Sequence, residues 1–367
     1  MATHTALVLY GARDLRIEER ETIPPKANEV QIAIKATGIC GSDLHYYAHA
    51  SNGPFVAKKP LTLGHESAGV VTAIGSATTN FKIGQRVAIE PQNPCRVCSI
   101  CTGGAYNLCP DMKFMGSAAS SPYTHGSLQR LYNHAEDYVY ALPDNVSFEE
   151  GAMIEPLSVA IHAARRAGLK AGDSVLCFGA GVIGQLCAAV ARVAGASQIA
   201  VVDIDDDRLS VASKAGLGRG VQAATYRIPK APEEEESKAD FATRVAKLIL
   251  AQEGFQPANV VFETTGVPAC NDMSIACSLP GGKVVCIGMG QPIQTLNIGL
   301  ASHKEIDLIG IWRYANTYPT GIRMVSSGQI DLKPFITHKF PLEQTKEAFE
   351  LTMKGPKGLM KCMISSK

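Results

Sequence analysis

Ser174-Val-Leu-Cys-Phe-Gly179-Ala-Gly181-Val-Ile-Gly184-Gln-Leu-Cys-Ala-Ala-Val-Ala-Arg-Val193 passes from a short apolar strand, through glycines spaced as Gly-x-Gly-x-x-Gly, into an apolar helix. Glycines so placed permit a tight turn and let backbone N–H groups approach a pyrophosphate at the positive end of the helix. The next strand, Gln198 to Val202, delivers Asp203 about 20 residues beyond the motif, and another helix starts near Asp205. A carboxylate at that point accepts hydrogen bonds from both ribose hydroxyls and repels a 2′-phosphate, which predicts NAD over NADP. The expected cofactor contacts are Gly179, Gly181, Val182, Ile183, Gly184 and Asp203, with Arg208 a further candidate. Arg208 can reach the adenosine end or merely pair with Asp205. The plainer alternative is a glycine-rich turn in which Asp203 only caps a helix.

Working outward, apolar stretches recur at Asn259 to Glu263 and Lys283 to Ile287, separated by helix-length segments. That alternation indicates βαβ units and hence an α/β domain around a doubly wound, Rossmann-type parallel sheet. The polar insert Pro229 to Ala239 carries Glu233 to Glu236, expected to start an exposed helix because acidic side chains suit its positive end. Upstream of about residue 150 the texture differs: short β-branched stretches such as Val30 to Ile34 and Ala68 to Ile74 lie between Gly, Pro and Asn. This half reads as a mostly β domain with irregular loops. Ser147-Phe-Glu-Glu150 has capping-box spacing, and Pro156 can open a helix that Gly168 ends. Domains are therefore expected at 1–153, 154–299 and a tail at 300–367, whose apolar stretch Ile306 to Ile311 precedes a loop with Trp312, Arg313 and Tyr314.

A chain of 367 residues exceeds one ordinary hydrophobic core, in agreement with this division. Its 35 Lys and Arg nearly balance 34 Asp and Glu, with no basic cluster to attract nucleic acid or an anionic membrane. No apolar stretch approaches a membrane span, and the opening Met-Ala-Thr-His-Thr lacks a signal-like segment. A soluble, cytoplasmic protein acting on a small neutral substrate is expected. In that reducing compartment the 11 cysteines are expected to bind metal or pack, not to form disulfides. Cys177, Cys187, Cys270, Cys277, Cys286 and Cys362 sit among apolar or small residues and read as buried thiols.

The other five cysteines fall in two settings. Cys95-x2-Cys98-x2-Cys101-x7-Cys109 offers four thiolates in a short polar loop, the donor set of a closed structural zinc. The second setting combines Cys40 and the following Ser42, Asp43 and His45 with His65-Glu66 and Glu155. A catalytic zinc needs a few such donors and one open position. Taken singly, Cys40 also fits a buried thiol, His65 a satisfied polar residue and Glu66 a surface charge.

Gly38-Ile-Cys-Gly-Ser-Asp-Leu-His45, Leu63-Gly-His-Glu-Ser-Ala-Gly69, Glu150-Gly-Ala-Met-Ile-Glu-Pro-Leu-Ser158 and Arg313-Tyr-Ala-Asn-Thr-Tyr-Pro319 resemble motifs of the zinc-containing medium-chain dehydrogenases. The resemblance covers nearly the whole chain and is strongest to the sorbitol, xylitol and arabinitol dehydrogenase branch. It implies a GroES-like catalytic domain split between the first half and the tail, with the nucleotide domain inserted. It further implies Cys40, His65 and Glu66 as ligands of a catalytic zinc, Glu155 as a carboxylate that binds the zinc or its water, and Asp43 as the residue orienting His65; which of Glu66 and Glu155 contacts the zinc directly stays open. Tyr46, Glu155, Arg313 and Tyr314 resemble the polyol-contacting positions, although Tyr46 also fits a packed aromatic and Arg313 a surface charge or cofactor contact. A homotetramer or dimer is implied as well.

The expected reaction is oxidation of a sugar alcohol to a ketose. Zinc lowers the pKa of a secondary alcohol, hydride passes to NAD, and a proton leaves through water at the metal, Glu155 or the Ser42 and His45 pair. Two rival readings are a dehydrogenase for simple alcohols, which would not need Arg313 and Tyr314, and a non-catalytic NAD-binding protein that has kept the fold.

Overall fold

The computed structural model describes residues 2–214 and 220–366. They form two units: Met1–Glu155 with Ala315–Gly328 and Ile336–Lys367, and Pro156–Tyr314 with Gln329–Phe335.

The second unit is a six-stranded sheet in which every neighbouring pair is parallel. From one edge its strands are Gln222–Arg227, Gln198–Asp203, Ser174–Phe178, Ala258–Glu263, Ser278–Cys286 and Asp307–Gly310. In chain order this is 3-2-1-4-5-6, so the direction of winding reverses beside Ser174–Phe178, where doubly wound sheets bind ligands. Strands buried on both faces read as continuous apolar runs. Leu176, Phe178, Val202, Val261 and Val284 meet Val245 and Ile249 of the helix Lys238–Leu250 in one core. That helix starts later than the acidic run suggests. Ser237 caps it by accepting from Asp240 N, while Glu236 and Glu233 turn back onto Arg244 at 2.8 and 3.2 Å. A cap and an ion pair thus compete for residues that helix-dipole reasoning places inside the first turn.

The first unit is built on a mainly antiparallel sheet whose central strands are Glu29–Gly38 and Glu66–Ile74. The chain's last strand, Lys361–Ser365, adds to the far side of Glu29–Gly38, with Met363 opposite Gly38. Ser147 and Glu150 form the expected capping box, and the helix beyond it spans Ile154–Ala167, placing Pro156 in its first turn. Gly168 ends that helix at a φ of +61°. No described helix is long and apolar enough to cross a membrane. All 11 cysteines are free; of the six expected to pack, five are buried and Cys286 is partly so.

A buried carboxylate fastens the segment Ala315–Gly328 to this unit. Glu90 accepts from Tyr106 and Tyr140 hydroxyls at 2.8 and 2.9 Å and from the Gln92 amide at 3.0 Å. Tyr106 in turn accepts from the backbone N–H of Asn316, and Tyr318 donates to the carbonyl of Ile89. Burial pushes the Glu90 carboxyl up to about 7 from the ordinary 4.5, against the opposing hydrogen bonds of Tyr106, Tyr140 and Gln92. A carboxyl that ionises less readily folded than unfolded costs stability as pH rises from 4.5 to 7. Relative to Glu90→Gln, the wild type should therefore lose up to ~3 kcal/mol across that window. Guanidinium denaturation of both proteins at pH 5 and pH 8 reads this difference; parallel pH dependence would remove Glu90 as its source.

Candidate active site

The turn after Ser174–Phe178 is shaped by close backbone approach. Gly179 holds a φ of +96°, and a Cβ on Gly184 would collide with the Gly179 carbonyl, so the helix Val182–Val193 seats tightly against the strand. A Cβ on Gly181 would meet nothing within 4 Å, leaving the N-cap of that helix open to an anion. Asp203 is buried and spends both oxygens on the turn. Oδ2 accepts from Ala180 N at 2.6 Å and Oδ1 from Asp205 N at 3.0 Å. Each oxygen retains a lone pair, so holding the turn and accepting from a ribose are compatible. The cap reading and the cofactor reading of Asp203 therefore describe one geometry. Arg208 lies 4.0 Å from Asp205 and is half-exposed, the pairing foreseen as its plainer role.

In the other unit, Cys95, Cys98, Cys101 and Cys109 bring all four sulfur atoms within 4.8 Å of one another. Left-handed Arg96, at a φ of +67°, folds the knuckle, and Cys98 N and Cys95 N donate to the sulfurs of Cys95 and Cys109. Backbone N–H groups of Val97 and Cys98 pull the Cys95 thiol down to about 7, helping it to ionise. Four thiolates satisfy a tetrahedral zinc completely and leave no position for a substrate.

Cys40, His65 and Glu66 form a second group with donor atoms within 4.8 Å; among the described residues Glu155 does not belong to it. Its architecture begins with Asp43, buried in the first turn of the helix Gly41–His49. One oxygen of Asp43 accepts from Gly64 N at 3.0 Å and faces His65 Nδ1 at 3.4 Å, while the other accepts from Cys40 N at 3.1 Å. A single carboxylate thereby ties the backbone of Cys40 to that of Gly64 and aligns the His65 ring through Nδ1, leaving Nε2 for a metal. Burial opposes ionisation of Asp43, yet His65 and the two backbone donors hold its carboxyl below the ordinary value. Burial likewise opposes a charged His65, but Asp43 and Cys40 raise its pKa well above normal. A field that favours a proton on this ring favours a divalent cation by the same electrostatics, and the donor set fits zinc.

Glu66 faces Gly38 across the antiparallel pair, where a Cβ on Gly38 would overlap the carboxylate. Both oxygens of Glu66 accept from Lys361 Nζ, at 2.7 and 2.8 Å. Lys361 escapes motif reasoning; its signal is a single charge inside the apolar run Leu359-Met-Lys-Cys-Met-Ile364. Glu155 is buried and adds to the field that keeps Lys361 charged. Ser42 Oγ lies 3.5 Å from His65 Nε2, and His45 is exposed one turn further along the same helix. Tyr46 is buried, its hydroxyl accepting from Ala118 N at 3.1 Å and lying 3.4 Å from Ser117 Oγ. Arg313 and Tyr314 fall at the end of the nucleotide unit. Arg313 adopts a φ of +52° with its guanidinium 4.9 Å from the Trp312 ring centre, and Tyr314 is buried.

A GroES-like module with a dinucleotide sheet, a closed thiolate cluster and an open Cys-His-Glu group together define a class: zinc-binding dehydrogenases. Two family models agree, the alcohol dehydrogenase GroES-like domain over residues 26–144 and the zinc-binding dehydrogenase domain over 182–327. Sorbitol dehydrogenase of Gallus gallus is 41% identical over 359 residues, 97% of this chain and 96% of that protein. Sorbitol dehydrogenase of Homo sapiens is 40% identical, with coverage of 97% and 95%. The crystal structure of L-idonate 5-dehydrogenase from Escherichia coli matches with a TM-score of 0.86 at 28% identity, covering 99% of this chain and 98% of that one. The chain belongs to the zinc-containing medium-chain dehydrogenase family, in its polyol dehydrogenase branch.

The steric argument at Gly38 gives a sharp expectation. Gly38→Ala should displace Glu66 and lose the metal of the Cys40 group, while the four-cysteine loop keeps its own; metal content per chain, before and after Cys40→Ser, separates the two.

Proposed function

We propose that this protein oxidises a secondary hydroxyl of a sugar alcohol to the ketone of a ketose, with zinc and NAD as cofactors. The observation that carries the reading is the convergence of Cys40, His65 and Glu66 in a chain that also holds the Gly179 to Asp203 turn. Zinc, when bound, supplies the Lewis acidity that lowers the pKa of the reacting alcohol.

The chain's own residues have distinct tasks in this proposal. Cys40, His65 and Glu66 hold the catalytic metal, and Cys95, Cys98, Cys101 and Cys109 hold the structural one. Asp43 keeps His65 in the tautomer with Nε2 free. Ser42, beside His65 Nε2, hands the alcohol proton towards exposed His45, with Glu155 the alternative acceptor. Gly179, Gly181, Val182, Ile183 and Gly184 seat the pyrophosphate, Asp203 takes the ribose, and Arg208 flanks the adenosine end. Glu155, Tyr46, Arg313 and Tyr314 recognise the row of hydroxyls that distinguishes a polyol from a simple alcohol. The proposal extends to a homo-oligomer, tetramer or dimer, working in the cytoplasm without nucleic-acid or membrane partners.

Initial rates with NAD across stereoisomeric polyols and ethanol, with identification of each product, test the reading. Ketose formation with preference for polyols is expected, and Cys40→Ser should lower kcat/KM by at least ~10³-fold while NADH still binds, the scale of losing several kcal/mol of metal assistance. Turnover of ethanol in preference to every polyol would overturn the substrate class. Asp203→Ala should erase the preference for NAD over NADP; an unchanged preference would remove its ribose role.

A further inference from the structure

The buried ammonium of Lys361 belongs to neither the metal ligands nor the substrate contacts, yet it sits against the Cys40 group. Its Nζ donates to both oxygens of Glu66 and, at 3.1 Å, to the carbonyl of Ile39. Those three contacts use all three ammonium protons. The side chains of Lys361 and Glu66 are 7% and 1% exposed, so water screens the pair very little. Three oxygen acceptors, two of them from a carboxylate, surround the ammonium, an arrangement suited to a lysine held as a cation.

The charges at this centre can be counted. A Cys40 thiolate and a Glu66 carboxylate together match the charge of a divalent metal, and Lys361 sets one positive charge directly against that carboxylate. Positive charge is what makes a metal an effective Lewis acid, and a carboxylate whose two oxygens already receive charged hydrogen bonds is a weaker donor. We propose that Lys361 is a positioning residue that restrains Glu66, weakening zinc binding at the Cys40 group in exchange for a more electrophilic metal. The proposal rests on the zinc reading of Cys40, His65 and Glu66. It predicts a sign opposite to a purely structural role: loss of a support should loosen the metal, whereas loss of a restraint should tighten it.

The test is chelator competition on zinc-loaded enzyme, with released zinc read by a colorimetric indicator and Cys40→Ser marking the contribution of the four-cysteine loop. Lys361→Met should hold the Cys40-group zinc ~10-fold or more tighter, and cobalt substituted at that site should show a changed visible spectrum. Its kcat should fall with little change in KM. Lys361→Arg, which keeps the charge, should titrate like wild type. Should Lys361→Met fail to fold, Glu66→Gln with Lys361→Met removes both buried charges and should hold zinc less tightly than wild type; tighter binding in that double variant would overturn the proposal. Unchanged or weaker zinc retention in folded Lys361→Met would equally overturn it. If wild type and Cys40→Ser release the same zinc, the zinc reading itself fails, a result distinct from either.

Discussion

Segments far apart in the chain meet at the Glu66–Lys361 ion pair, and much of the first unit is arranged so that they can. Lys361 is 295 residues from Glu66 and 322 from Ile39, to whose carbonyl it also donates. Such a contact requires the last strand to pair with Glu29–Gly38, which in turn requires the chain to come back after building the nucleotide unit. Breaking a buried pair by removing one partner costs roughly 3–5 kcal/mol, whereas replacing both with apolar groups is often neutral. Stability alone thus gives little reason to keep two charges in this place. Their position against Cys40 and His65 gives a chemical one.

The same economy recurs at Asp43 and Asp203, two buried carboxylates at the starts of turns. Asp43 joins Cys40 N to Gly64 N and aligns His65, so the loop carrying the thiol and the loop carrying the imidazole share one fastening. Asp203 joins the glycine turn to the start of the next helix through Ala180 N and Asp205 N. In both, a carboxylate that would be expensive to bury alone is satisfied by backbone donors that the turn leaves unpaired. Fold and chemistry draw on the same hydrogen bonds.

The two cysteine settings show how coordination number separates structure from catalysis. Four sulfurs come together in the Cys95 to Cys109 loop, whereas Cys40 converges with one histidine and one carboxylate, a donor fewer than a tetrahedral zinc takes. The remaining thiols are raised by burial and stay inert; Cys177 and Cys187 are wholly buried among the strands and helix of the nucleotide unit.

Local sequence by itself determined a good deal. The glycine turn, Asp203, the capping box at Ser147 and the four-cysteine loop are all short-range patterns whose geometry is set by neighbours within about one or two turns. Where two local signals competed, as at Glu233 to Glu236, the side chain of Arg244 decided the outcome and the helix began at Lys238. The open metal group was legible only as a set of candidates, because spacing cannot show whether residues 40, 65, 66 and 155 converge. Strand register brings one carboxylate in: Gly38 lies opposite Glu66, which puts that side chain beside Cys40 and His65. Lys361 was invisible as a participant, since a lysine's partner in a tail strand is fixed by pairing with a strand more than 300 residues away. Sequence determined which chemistries were available; tertiary pairing alone decided which charges share the low-dielectric space where that chemistry has force.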